Sequence, residues 1–157
     1  MNHETSRQKE LRHVEVESPK DSQAVSRFED LDECLIVALR AASEKKAIDQ
    51  VVLDLRHLAS FTDYFLIAHG TNVKQVQAIA DEVTEQLKKC GIRPARIEGY
   101  RTGDWILVDY GDFIFHIFAD KARRFYDLER LWRDALCVEL PIDLNIDLNR
   151  ERSLDKK

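Results

Sequence analysis

Two apolar runs rich in aromatic and branched residues, Trp105 to Tyr110 and Phe113 to Phe118, are separated by the dipeptide Gly111-Asp112. Such runs flanking a two-residue turn that contains glycine specify an antiparallel β-hairpin. Earlier in the chain, Val51-Val52-Leu53-Asp54-Leu55 is a short β-rich run, and Phe65-Leu66-Ile67-Ala68-His69 is a second, ended by Gly70. Arg96-Ile97-Glu98 reads as a further short strand before the turn cluster Arg101-Thr102-Gly103-Asp104. The sheet expected from these runs has five strands.

Helical periodicity fills the gaps. Structure is expected to begin near Phe28, where Leu31, Cys34, Leu35, Ala38, Leu39 and Ala42 share one helical face. Glu29, Asp30, Asp32 and Glu33 stand at its start, where the helix dipole favours acids. A long helix is expected from Val73 to Lys89, with Val76, Ala80, Val83 and Leu87 inward. Asn72 can cap it, Gln75 is placed as a capping-box partner, and Lys88 and Lys89 suit its C-terminal end. Gly91 can take the left-handed cap, and Pro94 forbids continuation. A last helix is read from Asp127 through Trp132 toward Leu136. The order α-β-β-α-β-β-β-α defines an α/β domain with a mixed sheet flanked by helices.

Residues 1–27 are polar, charged and free of aromatics up to Arg27, and read as a disordered tail. The domain is placed at 28–138 and a C-terminal tail at 139–157. That tail repeats Ile142-Asp143-Leu144-Asn145 as Ile146-Asp147-Leu148-Asn149, and two copies are too few for a repeat architecture. Hydrophobic residues form 44% of the 157, enough for a core. The formal charge of −5 disfavours binding by phosphate neutralisation and suits a basic partner, so no DNA is expected. Cys34, Cys90 and Cys137 are far apart, without a Cys-x-x-Cys pair, which points away from zinc and disulfides and toward buried or half-buried thiols in a reducing cytosol. The first ten residues hold no apolar segment of secretory type, and no run is long enough to span a bilayer, so a soluble cytoplasmic protein without membrane contact is expected.

Chemistry-bearing residues are sparse. Metal-dependent nucleotidyl transfer needs carboxylates converging on cations. The first strand offers Asp54 alone, and Asp63 in Phe61-Thr62-Asp63-Tyr64 reads as a local side-chain cap. Gly70-Thr71-Asn72 is explained by a turn and an N-cap rather than a phosphate loop. His3, His13, His57, His69 and His116 form no ligand pair at helical spacing, and His116 is open to being packed or presented. Lys121, Arg123 and Arg124 read as a solvated basic step before the last helix. No catalytic residue, metal or cofactor is expected.

The hairpin segment stands apart. Between Glu98 and Asp120 lie five acids, Glu98, Asp104, Asp109, Asp112 and Asp120, against one basic residue, Arg101. Tyr100, Trp105, Tyr110, Phe113, Phe115 and Phe118 share the stretch. Trp105, Leu107 and Asp109 fall on one strand face, and Ile106, Val108 and Tyr110 on the other. Two readings stand level: an ordinary sheet with its tryptophan buried, or an aromatic anchor with an acidic rim that selects a basic partner.

The motifs resemble a known family. Asp63-Tyr64-Phe65-Leu66-Ile67-Ala68-His69-Gly70-Thr71-Asn72 is similar to a pattern of Thr-Asp, an apolar strand and Gly-Thr-Ser, with Asn72 in place of Ser. Glu98-Gly99 followed by Asp104-Trp105-Ile106-Leu107-Val108-Asp109-Tyr110-Gly111-Asp112, then His116, resembles the signature of the Iojap, or ribosomal silencing factor, family. Arg124-Phe125-Tyr126-Asp127-Leu128-Glu129-Arg130-Leu131-Trp132 is similar to its closing motif. The resemblance covers about residues 30 to 135. It implies a fold like that of nucleotidyltransferases without their catalytic residues. It also implies binding to the fourteenth protein of the large ribosomal subunit, steric blocking of small-subunit joining, reduced translation when nutrients are short, and a role in large-subunit assembly. It admits a homodimer. On this resemblance the hairpin is the docking face, with Trp105 the central residue, Asp109, Asp112 and Tyr100 its neighbours, and Tyr126 and Glu129 further candidates. The alternatives are a divergent nucleotidyltransferase using Asp54, and direct binding of ribosomal RNA through Lys121, Arg123 and Arg124.

Overall fold

In the computed structural model, residues 27–141 and Leu144 are described. The expected disordered tail, His3, His13 and most of the C-terminal repeat lie outside the described residues. After a short 3-10 turn at Phe28–Asp30 come α1 (Glu33–Glu44), β1 (Ile48–Asp54), β2 (Tyr64–Gly70), α2 (Val73–Lys89), β3 (Arg96–Glu98), β4 (Trp105–Asp109), β5 (Phe113–Ala119), α3 (Asp120–Tyr126), α4 (Leu128–Leu131) and β6 (Leu136–Cys137).

The sheet has six strands in the order β3-β4-β5-β2-β1-β6, not the expected five. The additional strand, β6, is two residues long and pairs Leu136 and Cys137 with Asp54 and Leu53. So short a piece carries no periodicity of its own, and Leu136 reads as easily into a helix. At the centre, β2 and β5 run parallel, and every other pairing is antiparallel, which makes the sheet mixed. Apart from their first or last residue these two strands are buried throughout, as central strands covered on both faces must be.

Helices α1 and α2 pack together on one face. Leu35, Ala38 and Leu39 of α1 and Val76, Ile79, Val83 and Leu87 of α2 join Val52, Leu66, Ile106, Val108, Phe115 and Ile117 in an aliphatic core, to which Leu144 also belongs. The start of α1 lies later than its acidic run suggests, because Asp32 is the cap and accepts from the Cys34 N–H at 3.1 Å. For α2 the expected bounds hold, and Asn72 accepts from the Gln75 N–H at 2.9 Å. Gln75 does not close the box on Asn72: its Oε1 accepts from the Thr71 N–H at 2.7 Å, and its Nε2 donates to the Lys46 carbonyl at 3.0 Å. The N-cap thereby also ties α2 to the end of α1.

The closing segment differs most from expectation. One helix from Asp127 was expected. Two helices form, hinged at Asp127, which sits in the left-handed region at φ 47°. The basic residues read as a solvated step belong to α3, and Arg123 among them is buried. The cysteines are free, but only Cys34 is half-buried. Cys90 caps α2 outside its apolar stripe and Cys137 lies on the edge strand β6, so both are exposed.

Candidate functional site

Alternation along β4 decides which side chains face where. Ile106 and Val108 point into the helix-covered core, so Trp105, Leu107 and Asp109 lie on the opposite face, each half-buried. On that face the helices among the described residues are the short α3 and α4, above a second cluster of Leu53, Leu55, Phe65, Ile67, Ile114, Phe118 and Leu128. The backbone delivers Trp105 through a tight approach. Gly99 has φ +79°, and a Cβ there would collide with the Trp105 carbonyl oxygen, which accounts for glycine after Glu98.

Trp105 is held by its ring and by its nitrogen. Its indole packs at a tilt against Phe118, with centroids 5.0 Å apart, and against Tyr126, the last residue of α3, at 4.7 Å. Its Nε1–H donates to His116 Nδ1 at 3.0 Å. Indole nitrogen can only donate, so His116 accepts at Nδ1 and carries its proton on Nε2. Burial pushes the His116 pKa down to about 4, with Asp109 opposing, so the imidazole is neutral at pH 7 and available as an acceptor. His116 is therefore packed rather than presented.

Ring contacts cross the whole face. They run from Phe61 to Trp132, on to Phe65, His116, Trp105 and Tyr126, and end at Phe125, with centroid separations of 4.4–6.0 Å. Both ends reach solvent: Phe61 is 57% exposed, Phe125 81%, and Leu131 beside it 75%. Exposed apolar residues of this size grouped on one face are a mark of interaction surfaces.

The expected site residues do not form one group. Trp105 and Tyr126 are in contact. Glu129 lies nearby on α4 but spends both oxygens on Arg123, at 3.1 and 3.3 Å. Asp109 is at the far end of β4, bonded to Arg96 at 3.2 Å and to the Gly111 N–H at 2.8 Å. Asp112 is in the exposed turn, its carbonyl accepting from the Asp63 N–H at 3.0 Å. Tyr100 sits on the helix side, its hydroxyl donating to Asp81 of α2 at 3.0 Å. Phe125, Leu131 and Phe61 were not foreseen as site residues; their only signal is that they are large apolar residues among arginines and polar neighbours.

The enzymatic candidates are otherwise engaged. Arg56 donates to both oxygens of the buried Asp54, at 3.1 and 3.3 Å. Asp63 enters β2 through its backbone, and its carboxylate makes no capping bond to a nearby N–H among the described residues; Thr62 fixes the turn instead, donating to the Gly111 carbonyl at 2.8 Å. Among the described residues no three His, Cys, Asp or Glu side chains are grouped to hold a metal ion, and no helix is long and apolar enough to cross a membrane.

The fold is thus a mixed sheet with one face under two long helices and the other, rich in aromatic rings, left partly open. Residues 28–157 match the family model described as ribosomal silencing factor during starvation. A ribosomal silencing factor from Halalkalibacterium halodurans is 44% identical over 108 residues, which are 69% of this chain and 92% of that protein. A crystal structure from Bacillus halodurans superposes with a TM-score of 0.62 at 42% identity, covering 69% of this chain and 98% of that one. The mouse protein named mitochondrial assembly of ribosomal large subunit protein 1 is 33% identical over 92 residues, 57% of this chain and 40% of its own length. The chain belongs to the ribosomal silencing factor family, as its motifs led us to expect.

Proposed function

We propose that this protein docks on the large ribosomal subunit through the fourteenth protein of that subunit and sterically prevents the small subunit from joining. Translation is thereby repressed in the cytoplasm, and the same contact serves assembly of the large subunit. No bond is made or broken. The observation that carries this reading is the placement of Trp105: half-buried, its N–H committed to His116, its ring packed against the exposed Tyr126 and continuous with Phe125. Rigid aromatic anchors with little side-chain freedom left to lose are the residues that carry interface energy. Around the anchor the charge is mixed, with Asp104, Asp120 and Asp127 beside Lys121, Arg124, Arg130 and Arg133, so a basic ribosomal protein as partner is supported by the net charge of −5 of the chain as a whole. The Iojap resemblance and the name of the mouse relative point the same way.

Co-sedimentation with separated subunits tests it. Wild-type protein is expected with large subunits only, with fewer joined ribosomes formed. Trp105→Ala is expected to weaken binding by about 2 kcal/mol or more, the usual cost of truncating a central aromatic anchor. Absence of wild-type protein from the large-subunit fraction would sink the reading. Binding unaffected by Trp105→Ala would move the site off this face. Sedimentation equilibrium of the free protein separates a monomer from the homodimer that the family resemblance admits.

A further inference from the structure

We propose that Arg123 is a positioning residue for the docking face: it fastens the elbow between α3 and α4 to the sheet, so that Tyr126 and Phe125 stand beside Trp105. This rests on the docking reading above. Among the described residues Arg123 is the only buried lysine or arginine. Its guanidinium joins three other elements. Nη1 donates to the Ile48 carbonyl of β1 at 3.2 Å and faces His69 Nδ1 of β2 at 2.9 Å, while Nε and Nη2 donate to the two oxygens of Glu129 on α4. Its own carbonyl accepts from the N–H of Asp127, the left-handed residue at the hinge, at 3.0 Å.

The chemistry of the partners makes this a directed clamp. Guanidinium has no acceptor, so His69 must offer the Nδ1 lone pair and carry its proton on Nε2, which lies 3.6 Å from Asp120 Oδ1. Both oxygens of Glu129 and its ion-pairing capacity point inward to Arg123, which assigns Glu129 to holding the arginine and not to touching the partner. Apolar packing fixes the elbow less closely: Phe125 and Leu131 are exposed, and among the described residues of α3 and α4 Leu128 is the one large apolar side chain buried, with half-buried Trp132 beyond it on Phe65. Tyr126 follows Arg123 by three residues, one helical turn on, so an elbow released from the sheet carries Tyr126 off the Trp105 ring.

The test uses the full-length chain with Trp132→Phe, so that fluorescence reports Trp105 alone. Arg123→Gln is expected to shift Trp105 emission to the red and raise its quenching by acrylamide. It is also expected to weaken sedimentation with large subunits about tenfold, the cost of ordering one or two side chains at the moment of docking. Arg123→Lys keeps the charge without the fork and is expected to fall between. If Arg123→Gln does not fold, Glu129→Gln removes the clamp from its exposed side and is expected to shift emission in the same direction by less. Unchanged emission in the folded variants would overturn the proposal, as would shifted emission with undiminished docking. Failure of wild-type protein to bind large subunits would remove the docking reading and leave the emission result to decide Arg123 by itself.

Discussion

The two faces of the sheet are built from different materials. Beneath α1 and α2, the strands present Val52, Leu66, Ile106, Val108 and Ile117, mostly branched aliphatics that are fully buried, with Phe115 the largest among them. Across the sheet, β4, β5 and β2 present Trp105, His116, Phe118 and Phe65, and the cover is two short helices held by one buried arginine. Aliphatic side chains interdigitate under a 17-residue helix and need no polar partner. The aromatic face keeps polar handles: the indole N–H is satisfied by His116 Nδ1 in one fixed orientation, while His116 Nε2 is buried without a hydrogen-bond partner among the described residues. Both faces bury apolar side chains, and the second, above its own buried cluster, also holds rings in place at a surface.

Breaking the aliphatic face should cost most. Phe115→Ala empties the centre of that core, and unfolding in urea is expected to show a loss of about 3 to 5 kcal/mol. If the difference between the faces is real, the variant that remains folded still docks. A comparable docking loss in the folded fraction would mean that the two faces do not divide the work as argued.

His116 sits at the join and gives the next largest effect. Its folded pKa, about 4, is below the ordinary 6.5, so the unfolded chain binds the proton more readily. Its contribution is complete above pH 6.5 and is lost as pH falls to about 4, by roughly 3 kcal/mol over the whole window and roughly 2 by pH 5. His69, also held below its ordinary pKa by burial and by Arg123, acts in the same direction. Urea unfolding at pH 7 and pH 5 reads both histidines, and His116→Gln, which keeps an acceptor for Trp105, should remove the His116 share of that pH difference. A variant with the wild-type pH dependence would show that the imidazole is not the group responsible.

How much of this was legible in the residues follows from where each feature is determined. The long helix, the central strands and the grouping of Ile106 with Val108 on one strand face were readable because periodicity is a local property and these segments are long enough to show it; which face points inward was not. The sixth strand was not, since two residues, Leu136 and Cys137, acquire strand geometry only by pairing with β1. The break at Asp127 was hidden for a related reason: an aspartate tolerates the left-handed region, and the contacts around the break, from Arg123 to residues 54 and 75 positions earlier, are long-range. The strand face that Trp105 shares with Leu107 and Asp109 could be read from alternation along β4. The partnership of Trp105 with Tyr126 could not, because that depends on the elbow. Tyr100 was expected beside Trp105 on the family resemblance, and the loop after β3 sends it to α2 instead.

The smallest expected change in stability is the most informative about the open face. Phe125 is 81% exposed and touches the protein mainly through the edge of Tyr126, at 5.0 Å. Replacing it with serine removes apolar area already in water, so unfolding should move by no more than about 0.5 kcal/mol. Docking should nevertheless weaken, by about 1 to 2 kcal/mol if the ring joins the Trp105 anchor at the interface. Phe125→Ser thus reverses the pattern of Phe115→Ala: little stability lost, measurable docking lost. Were stability and docking both untouched, the exposed end of the aromatic run would be outside the interface, and the docking face would contract to Trp105 and Tyr126. Were stability lost instead, Phe125 would be packing in a way its exposure contradicts, and α3 would be part of the folded core rather than the presented edge of the aromatic face.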